Sequence, residues 1–315
     1  MYTQNPNKLH NADGNDTSWK RAVRRSVRTW YSRNARTFLW RSKNPDPYIV
    51  LVSETMLQQT QTSRVQGKLP EFLALFPSFD ALASASNAAI IRAWQGMGYN
   101  SRALRLRDCA SAVVRQHNGC LPDDYVTLRS LPGVGDYTAN AILAFAYHKN
   151  VAVIDVNIKR VYSRLLRPMA TTHEVLAEGV LRPFAETVVP QGGSSTWHQA
   201  IMDIGALFCT ARKPKCNDCP LQKLCASAGS MAEAQPPRKT EPMHRLEPNR
   251  IWRGRTVELL RNLPHGMAIP VRELMNRLLT APHTTDDEHW FAALLGGLQR
   301  DGIAEEADDA VRLKE

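Results

Sequence analysis

The chain has 315 residues, 43% of them hydrophobic, and 40 Lys and Arg against 30 Asp and Glu give a formal net charge of +10. That length can bury a full core in two or three modules, and the polar start MYTQNPNKLHNADGNDTSWK offers neither an export signal nor a membrane anchor. With no apolar run of spanning length, a reducing cytoplasm and no membrane partner are expected, and the basic excess favours a polyanion.

Residues 1–20 are predicted to be poorly ordered. Between Lys20 and Arg41 stand Arg21, Arg24, Arg25, Arg28, Arg33 and Arg36, with no acid among them. A solvated helix face usually mixes signs, so this stretch reads as a nucleic-acid footprint, one that gives affinity without sequence choice. From residue 48 the apolar residues recur at three and four, the helical period. YIVLVSETMLQQTQTSRVQGKLPEFLALF predicts one or two helices, and FPSFD breaks the pattern. DALASASNAAIIRAWQGMG and SRALRLRDCASAVVRQHNG repeat it, the second ending in a Gly suited to a helix C-terminus. The chain shows neither strand-period Val/Ile alternation nor a glycine-rich phosphate loop, which argues against a Rossmann or P-loop enzyme.

LPGVGDYTANAIL (131–143) follows a short helical stretch, and a new helix starts at Asp136. Gly133 and Gly135 let the backbone turn tightly and present bare N–H groups at a helix N-terminus, a site for one strand phosphate. In VAVIDVNIKRV (151–161), Asp155 and Asn157 interrupt an apolar run, where an Asp can equally be a plain N-cap. Glu54 interrupts the apolar IVLVSETML in the same way. Two carboxylates in apolar surroundings, one able to hold a proton, are the equipment for cleaving a glycosidic bond. Cys209, Cys216, Cys219 and Cys225 then form C-x6-C-x2-C-x5-C, while Cys109 and Cys120 lie far away. Clustered thiols in a chain without an export signal point to metal rather than disulfides. Zinc stays open, but only one short knuckle is present, and Cys219-Pro220 leans toward a [4Fe-4S] cluster. A linker rich in Ala, Pro and charge follows, and three amphipathic helices and two short strands then suggest a winged-helix-like module.

SETMLQQTQ, GMGYNSRA, LPGVGDYTANAIL, VIDVNIKRV, QAIMDIGALFCTARKPKC and the four-Cys loop stand in the order found in MutY-type adenine DNA glycosylases. The chain resembles that family, of the helix–hairpin–helix superfamily with endonuclease III, over about residues 35–228. The resemblance implies a mainly α fold: a six-helix barrel with the hairpin (48–149), a cluster lobe (21–47 and 150–228) with one [4Fe-4S] cluster, a linker (229–248) and the winged-helix-like module (249–315). It implies a monomeric enzyme that removes adenine opposite 8-oxoguanine or guanine from double-stranded DNA. Glu54 matches the general acid that protonates adenine N7 and later activates water. Asp155 matches the carboxylate that stabilises the sugar oxocarbenium ion, and Asn157 and Tyr137 match residues that bond or orient these groups. Lyase-active relatives carry lysine at the Tyr137 position, so a monofunctional enzyme is implied. Trp40, Arg41 and Gln199 match residues around the flipped adenine. Gln59, Thr60 and Tyr99 match residues that contact the lesion or wedge beside it, and Gly133 and Gly135 carry the phosphate contact.

Two departures bear on this. The family's Asp-Gly-Asn is Asp155-Val156-Asn157 here, which puts the local backbone in question. The tail has no Phe-Ser-His-type loop and too few residues for the family's Nudix-like domain, and it resembles instead the short tail of actinobacterial members. A thymine or uracil mismatch glycosylase of the same superfamily agrees with Tyr137 and Val156, whereas Leu57-Gln58-Gln59-Thr60 counts against it. A catalytically silent cluster protein that binds DNA conflicts with the presence of both Glu54 and Asp155.

Overall fold

The computed structural model describes residues 16–234 and 241–315. Most of the N-terminal stretch expected to be poorly ordered lies outside the described residues, and Thr17–Lys20 already belong to the first helix. The fold is mainly helical, with five short strands among the described residues. The described residues fall into two compact units: 16–50, 123–125 and 135–234, and 51–122, 126–134 and 241–315.

The first unit is built on α1 (Thr17–Asn34), α8 (Asp136–Phe145), α9 (Val156–Leu166), α10 (Glu178–Val188) and α11 (Ser194–Leu207). Val23, Val27 and Tyr31 recur every four residues, so α1 buries one stripe against Ile158, Val161, Tyr162 and Leu165 of α9 and Trp197, Ile201 and Ile204 of α11. Arg21, Arg25, Arg28 and Arg33 stay exposed. Others of the basic stretch are structural, since Arg24 donates to the carbonyls of Thr187 and Val188 at 2.6 and 2.9 Å.

Helix α2 (Pro47–Leu57) leads into the second unit, which continues with α3 (Thr62–Leu75), α4 (Phe79–Ala83), α5 (Asn87–Ala93), α6 (Ser101–His117) and α7 (Tyr125–Ser130). The sequence segment DALASASNAAIIRAWQGMG makes two helices rather than one. Ser86 ends the first reading by accepting from the Ala89 N–H at 3.2 Å, an N-cap inside the apolar pattern. Helix α6 ends at Asn118 in the left-handed region, with Gly119 after it.

Residues 243–248 of the predicted linker carry secondary structure. Strands β1 (Met243–His244) and β2 (Glu247–Pro248) form a hairpin, and Arg245 donates to buried Asp287 at 2.7 and 2.8 Å. Helices α12 (Asn249–Arg261), α13 (Val271–Leu278) and α14 (Thr285–Arg300) follow, the last opened by a Thr284–Asp287 capping box. Strands β3 (Ile269–Pro270), β4 (Ala304–Ala307) and β5 (Ala310–Leu313) form an antiparallel sheet in the order β3-β5-β4, and Asp308 and Asp309 turn the β4–β5 hairpin with φ of 51° and 57°. The two-residue β3 is too short to leave a period in sequence. Residues 249–315 pack within the second unit.

Candidate active site and metal centre

Asp155 caps α9, its Oδ1 accepting from the Ile158 N–H at 2.6 Å. The plain N-cap reading of this residue is therefore correct as far as it goes. Its other oxygen does more: Oδ2 accepts from Asn157 Nδ2 at 2.9 Å. Burial pushes the Asp155 carboxyl above its ordinary 3.8, and these bonds partly offset the push. Val156 is the first residue of α9 and 75% exposed, so its backbone is helical, a conformation any residue adopts. The missing glycine of the family motif thus leaves Asp155 at the N-cap and Asn157 as the second residue of the same helix.

Asn157 is held from its other end. Its Oδ1 accepts from Arg160 Nη2 at 2.8 Å, which also donates to the Gly205 carbonyl at 2.8 Å, while Arg160 Nε donates to the Cys209 carbonyl at 2.6 Å. A Cβ on Gly205 would stand 2.8 Å from the Asn157 Cβ, so α9 and α11 approach this closely only because residue 205 has no side chain. The strand of chain entering Asp155 is fixed too. Buried His198 accepts the Val153 N–H at Nε2, 3.0 Å away, and burial lowers its pKa to about 4, which keeps that nitrogen free of a proton. A continuous set of bonds thus runs from Asp155 through Asn157 and Arg160 to the backbone of the first cysteine. The sequence reading passed over Arg160 and Gly205, although Arg160 sits one turn after Asn157, at the spacing of helical neighbours.

Trp40 is buried and stacks on Phe38 with ring centres 4.7 Å apart. Arg41 donates to both oxygens of Asp203 at 2.8 and 3.0 Å, and Arg36 joins the same carboxylate. Both guanidiniums lie over the Phe38 ring, at 4.9 and 5.1 Å. Gln199, one turn before Asp203 on α11, accepts from the Tyr31 hydroxyl at 3.1 Å. Trp40, Arg41 and Gln199 all lie in the first unit, where Arg41 pairs with Asp203, a fully buried acid that the sequence reading missed. A lone Asp in the apolar QAIMDIGALF was the available signal.

In the second unit, α2 carries Glu54 with only 4% exposure. The chain leaves α2 through Gln59, whose φ is 56°, and Tyr99 has φ of 46° with 55% exposure. Left-handed backbone at two non-glycine residues costs about 1–3 kcal/mol each and persists only where the surroundings enforce it. Arg102 enforces it at both. Its Nη1 donates to the carbonyls of Thr55, Met56 and Gln58 at 2.7, 3.2 and 2.5 Å, and its Nη2 to those of Met97 and Gly98 at 3.0 and 3.1 Å and to Thr60 Oγ1 at 3.2 Å. One buried guanidinium thus ties Gln58 and Thr60, on either side of Gln59, to the loop bearing Tyr99. Gly133 has φ of 75°, and a Cβ there would lie 3.0 Å from the Arg105 Cβ, so α6 and the turn demand glycine. Gly135 stands at the N-cap of α8 and gives that helix no side-chain acceptor, and half-buried Tyr137 follows in its first turn. Glu54 belongs to the second unit, and Tyr137, Asp155 and Asn157 to the first.

The four cysteines line one small cavity with Phe208, Pro214, Met231 and Arg164. None of the four is in a disulfide. A lone zinc needs its sulfurs about 2.3 Å from one point, whereas a cube takes one thiolate at each of several irons. Arg164 is 1% exposed, donates to Cys209 Sγ at 3.3 Å, and has a buried Nε without a hydrogen-bond partner. A buried cation beside a thiolate-lined cavity fits a negatively charged cluster held by Cys209, Cys216, Cys219 and Cys225.

Residues 52–185 match the HhH-GPD superfamily of base excision DNA repair proteins, and residues 209–225 match the iron–sulfur binding domain of endonuclease III. An adenine DNA glycosylase of Mycobacterium tuberculosis is 40% identical over 237 residues, covering 74% of this chain and 76% of its own length. The chain belongs to the adenine DNA glycosylase family. The human adenine DNA glycosylase is 35% identical over 222 residues, 68% of this chain and 41% of the human one. Among solved structures, a thermostable thymine-DNA glycosylase is similar with a TM-score of 0.60 and 30% identity, over 66% of this chain and 95% of that one. Endonuclease III in a non-covalent DNA complex shares the fold, with a TM-score of 0.56 and 20% identity over 65% of this chain and 94% of the other. As a member of this family the protein is a base-excision DNA glycosylase with a [4Fe-4S] cluster, and the zinc alternative left by spacing falls away. Among the described residues no helix is long and apolar enough to cross a membrane.

Proposed function

We propose that the protein removes adenine mispaired with 8-oxoguanine or guanine from duplex DNA, as a monomer and without lyase activity, in the bacterial cytoplasm at the nucleoid. The observation that carries the reading is the Asp155 carboxylate, held at both oxygens by the Ile158 N–H and Asn157 at the start of α9.

The target adenine leaves the stack at a cost of a few kcal/mol, least at a mismatch. Trp40, Arg41 and Gln199 receive it. Glu54 gives its proton to adenine N7, so the C1′–N9 bond breaks to a neutral base. The sugar is left as an oxocarbenium ion, and the negative charge of Asp155 stabilises it. Glu54, now ionised, takes a proton from water, whose oxygen bonds to C1′ and leaves an abasic site. Tyr137 orients these groups, and with no lysine at its position no Schiff base forms. Gln59, Thr60 and Tyr99 engage the opposite base, and Gly133 and Gly135 hold a strand phosphate. The cluster supplies no electron to this chemistry. Cys209, Cys216, Cys219 and Cys225 would hold it, and the loop with Arg212, Lys213 and Lys215 would then be fixed as a basic lobe for the DNA backbone. The lobe, barrel, linker and tail boundaries drawn from the sequence are part of the same reading.

The similarity to a thymine-DNA glycosylase favours thymine or uracil as the second reading. One assay separates them: duplexes with a single A·8-oxoG, A·G, T·G or U·G pair are incubated with the protein and then cleaved with alkali. Breaks at adenine that need the alkali are expected. Breaks at T or U alone would contradict the proposal, and none anywhere would leave a silent DNA binder.

A further inference from the structure

Asn100 occupies the N-cap of α6, where an Asn side chain usually accepts from the first turn of its own helix. Here it makes no such bond. Its Oδ1 accepts instead from Arg261 Nη2 at 2.7 Å. Arg261 is the last residue of α12, and the rest of its guanidinium is also engaged: Nε donates to the Ile91 carbonyl at 2.9 Å and Nη1 to Glu258 at 3.1 Å. The side chain is 7% exposed. Bonds run the other way as well. Arg92 donates to the carbonyls of Arg261 and, at 3.2 Å, Leu263, and Gln95 donates to Glu258. A cation at the carbonyl end of α12 is where the helix dipole favours it.

These bonds fall on both sides of one loop. Ile91, Arg92 and Gln95 lead into it and Asn100 leads out, and between them Gly96, Gly98 and Tyr99 have φ of 82°, 69° and 46°. Arg102 holds the loop's own carbonyls, but the two ends are gripped by the last turn of α12. A left-handed, exposed tyrosine needs such over-determination to keep one direction.

We propose that Arg261 is a positioning residue, through which residues 249–315 brace the Gly96–Asn100 loop and fix Tyr99 for insertion beside the lesion base. This rests on the function proposed above and gives the C-terminal module a role in DNA engagement that needs no base-reading loop of its own. The full-length chain tests it through three readouts: the Kd for an A·8-oxoG duplex, the single-turnover rate at saturating enzyme, and the fluorescence of 2-aminopurine placed next to the lesion, which rises on unstacking. Arg261→Gln and Asn100→Ala are expected to weaken Kd about tenfold and to blunt the fluorescence rise, with the saturated rate changed less than about threefold. Arg261→Lys should recover part of both losses. Arg253→Gln, which breaks only the Asp301 ion pair within the tail module, should change neither. Normal binding and fluorescence in Asn100→Ala overturns the brace, and that variant decides the matter even where Arg261→Gln fails to fold. Equal losses in Arg253→Gln also overturn it, since they report general damage to the module. A harmless Tyr99→Ala defeats the wedge and the brace together, whereas a wild-type chain that releases no adenine defeats the underlying function first.

Discussion

In the first unit Asp155 sits in ordinary backbone with both oxygens satisfied, whereas in the second unit Gln59 and Tyr99 are held in backbone that non-glycine residues avoid. The first arrangement is a chain of relaxed bonds ending at Cys209; the second is strain contained by one buried arginine. The contrast fits the two tasks. A carboxylate that must meet a cation gains from being still, because a preorganised charge needs no rearrangement when the cation forms. On the function proposed above, Gln59 and Tyr99 engage the duplex, and their left-handed backbone carries a cost that the rest of the unit offsets.

The largest effect should come from the relaxed side. Asp155→Asn keeps the shape and the N-cap but removes the charge, and single-turnover release should fall about 10³-fold with little change in Kd. Because burial raises the Asp155 pKa, and because only its ionised form serves, the wild-type rate should decline on acidification through a value above 3.8. A pH profile of the residual Asp155→Asn activity should lack that limb. Next, Arg160→Gln removes the link between Asn157 and the cysteine backbone. Charged hydrogen bonds of this kind are worth about 1.5–3 kcal/mol, so the rate should drop about tenfold to a hundredfold. The visible absorption of the cluster in that variant reports whether the bonds also steady the metal. Unchanged catalysis would show that Asn157 holds Asp155 unaided.

Much of this was legible in the sequence because it is local. The apolar run around Glu54, the glycines of the hairpin, the cap at Asp155 and the spacing of the cysteines each leave a pattern within a dozen residues. What was not legible is the set of arginines, Arg102, Arg160, Arg164 and Arg261, whose partners are mostly backbone carbonyls. Arg261 donates to Ile91, 170 residues away, and a carbonyl carries no residue identity for a reader to notice. The basic excess, read as a DNA footprint, is thus partly internal scaffolding. The split of α4 from α5 was missed for another reason: Ser86 caps a helix inside a stretch whose apolar period continues across it.

On the strained side the effects should be smaller and fall on binding. Arg102→Gln releases both Gln59 and the Tyr99 loop, and Kd for the mismatch duplex should rise about tenfold while nonspecific DNA is bound nearly as before. Equal losses on both duplexes would mean that the arginine only stabilises the fold, which a thermal melt would register independently.

The central claim is that a proton from Glu54 releases the base. Its most direct measurement is single-turnover adenine release from an A·8-oxoG duplex by Glu54→Gln, with the enzyme held above its measured Kd. The account predicts normal binding and a rate reduced about 10²- to 10⁴-fold, since the shape is kept and the transferable proton is gone. A rate near that of the wild type, with binding intact, would contradict it.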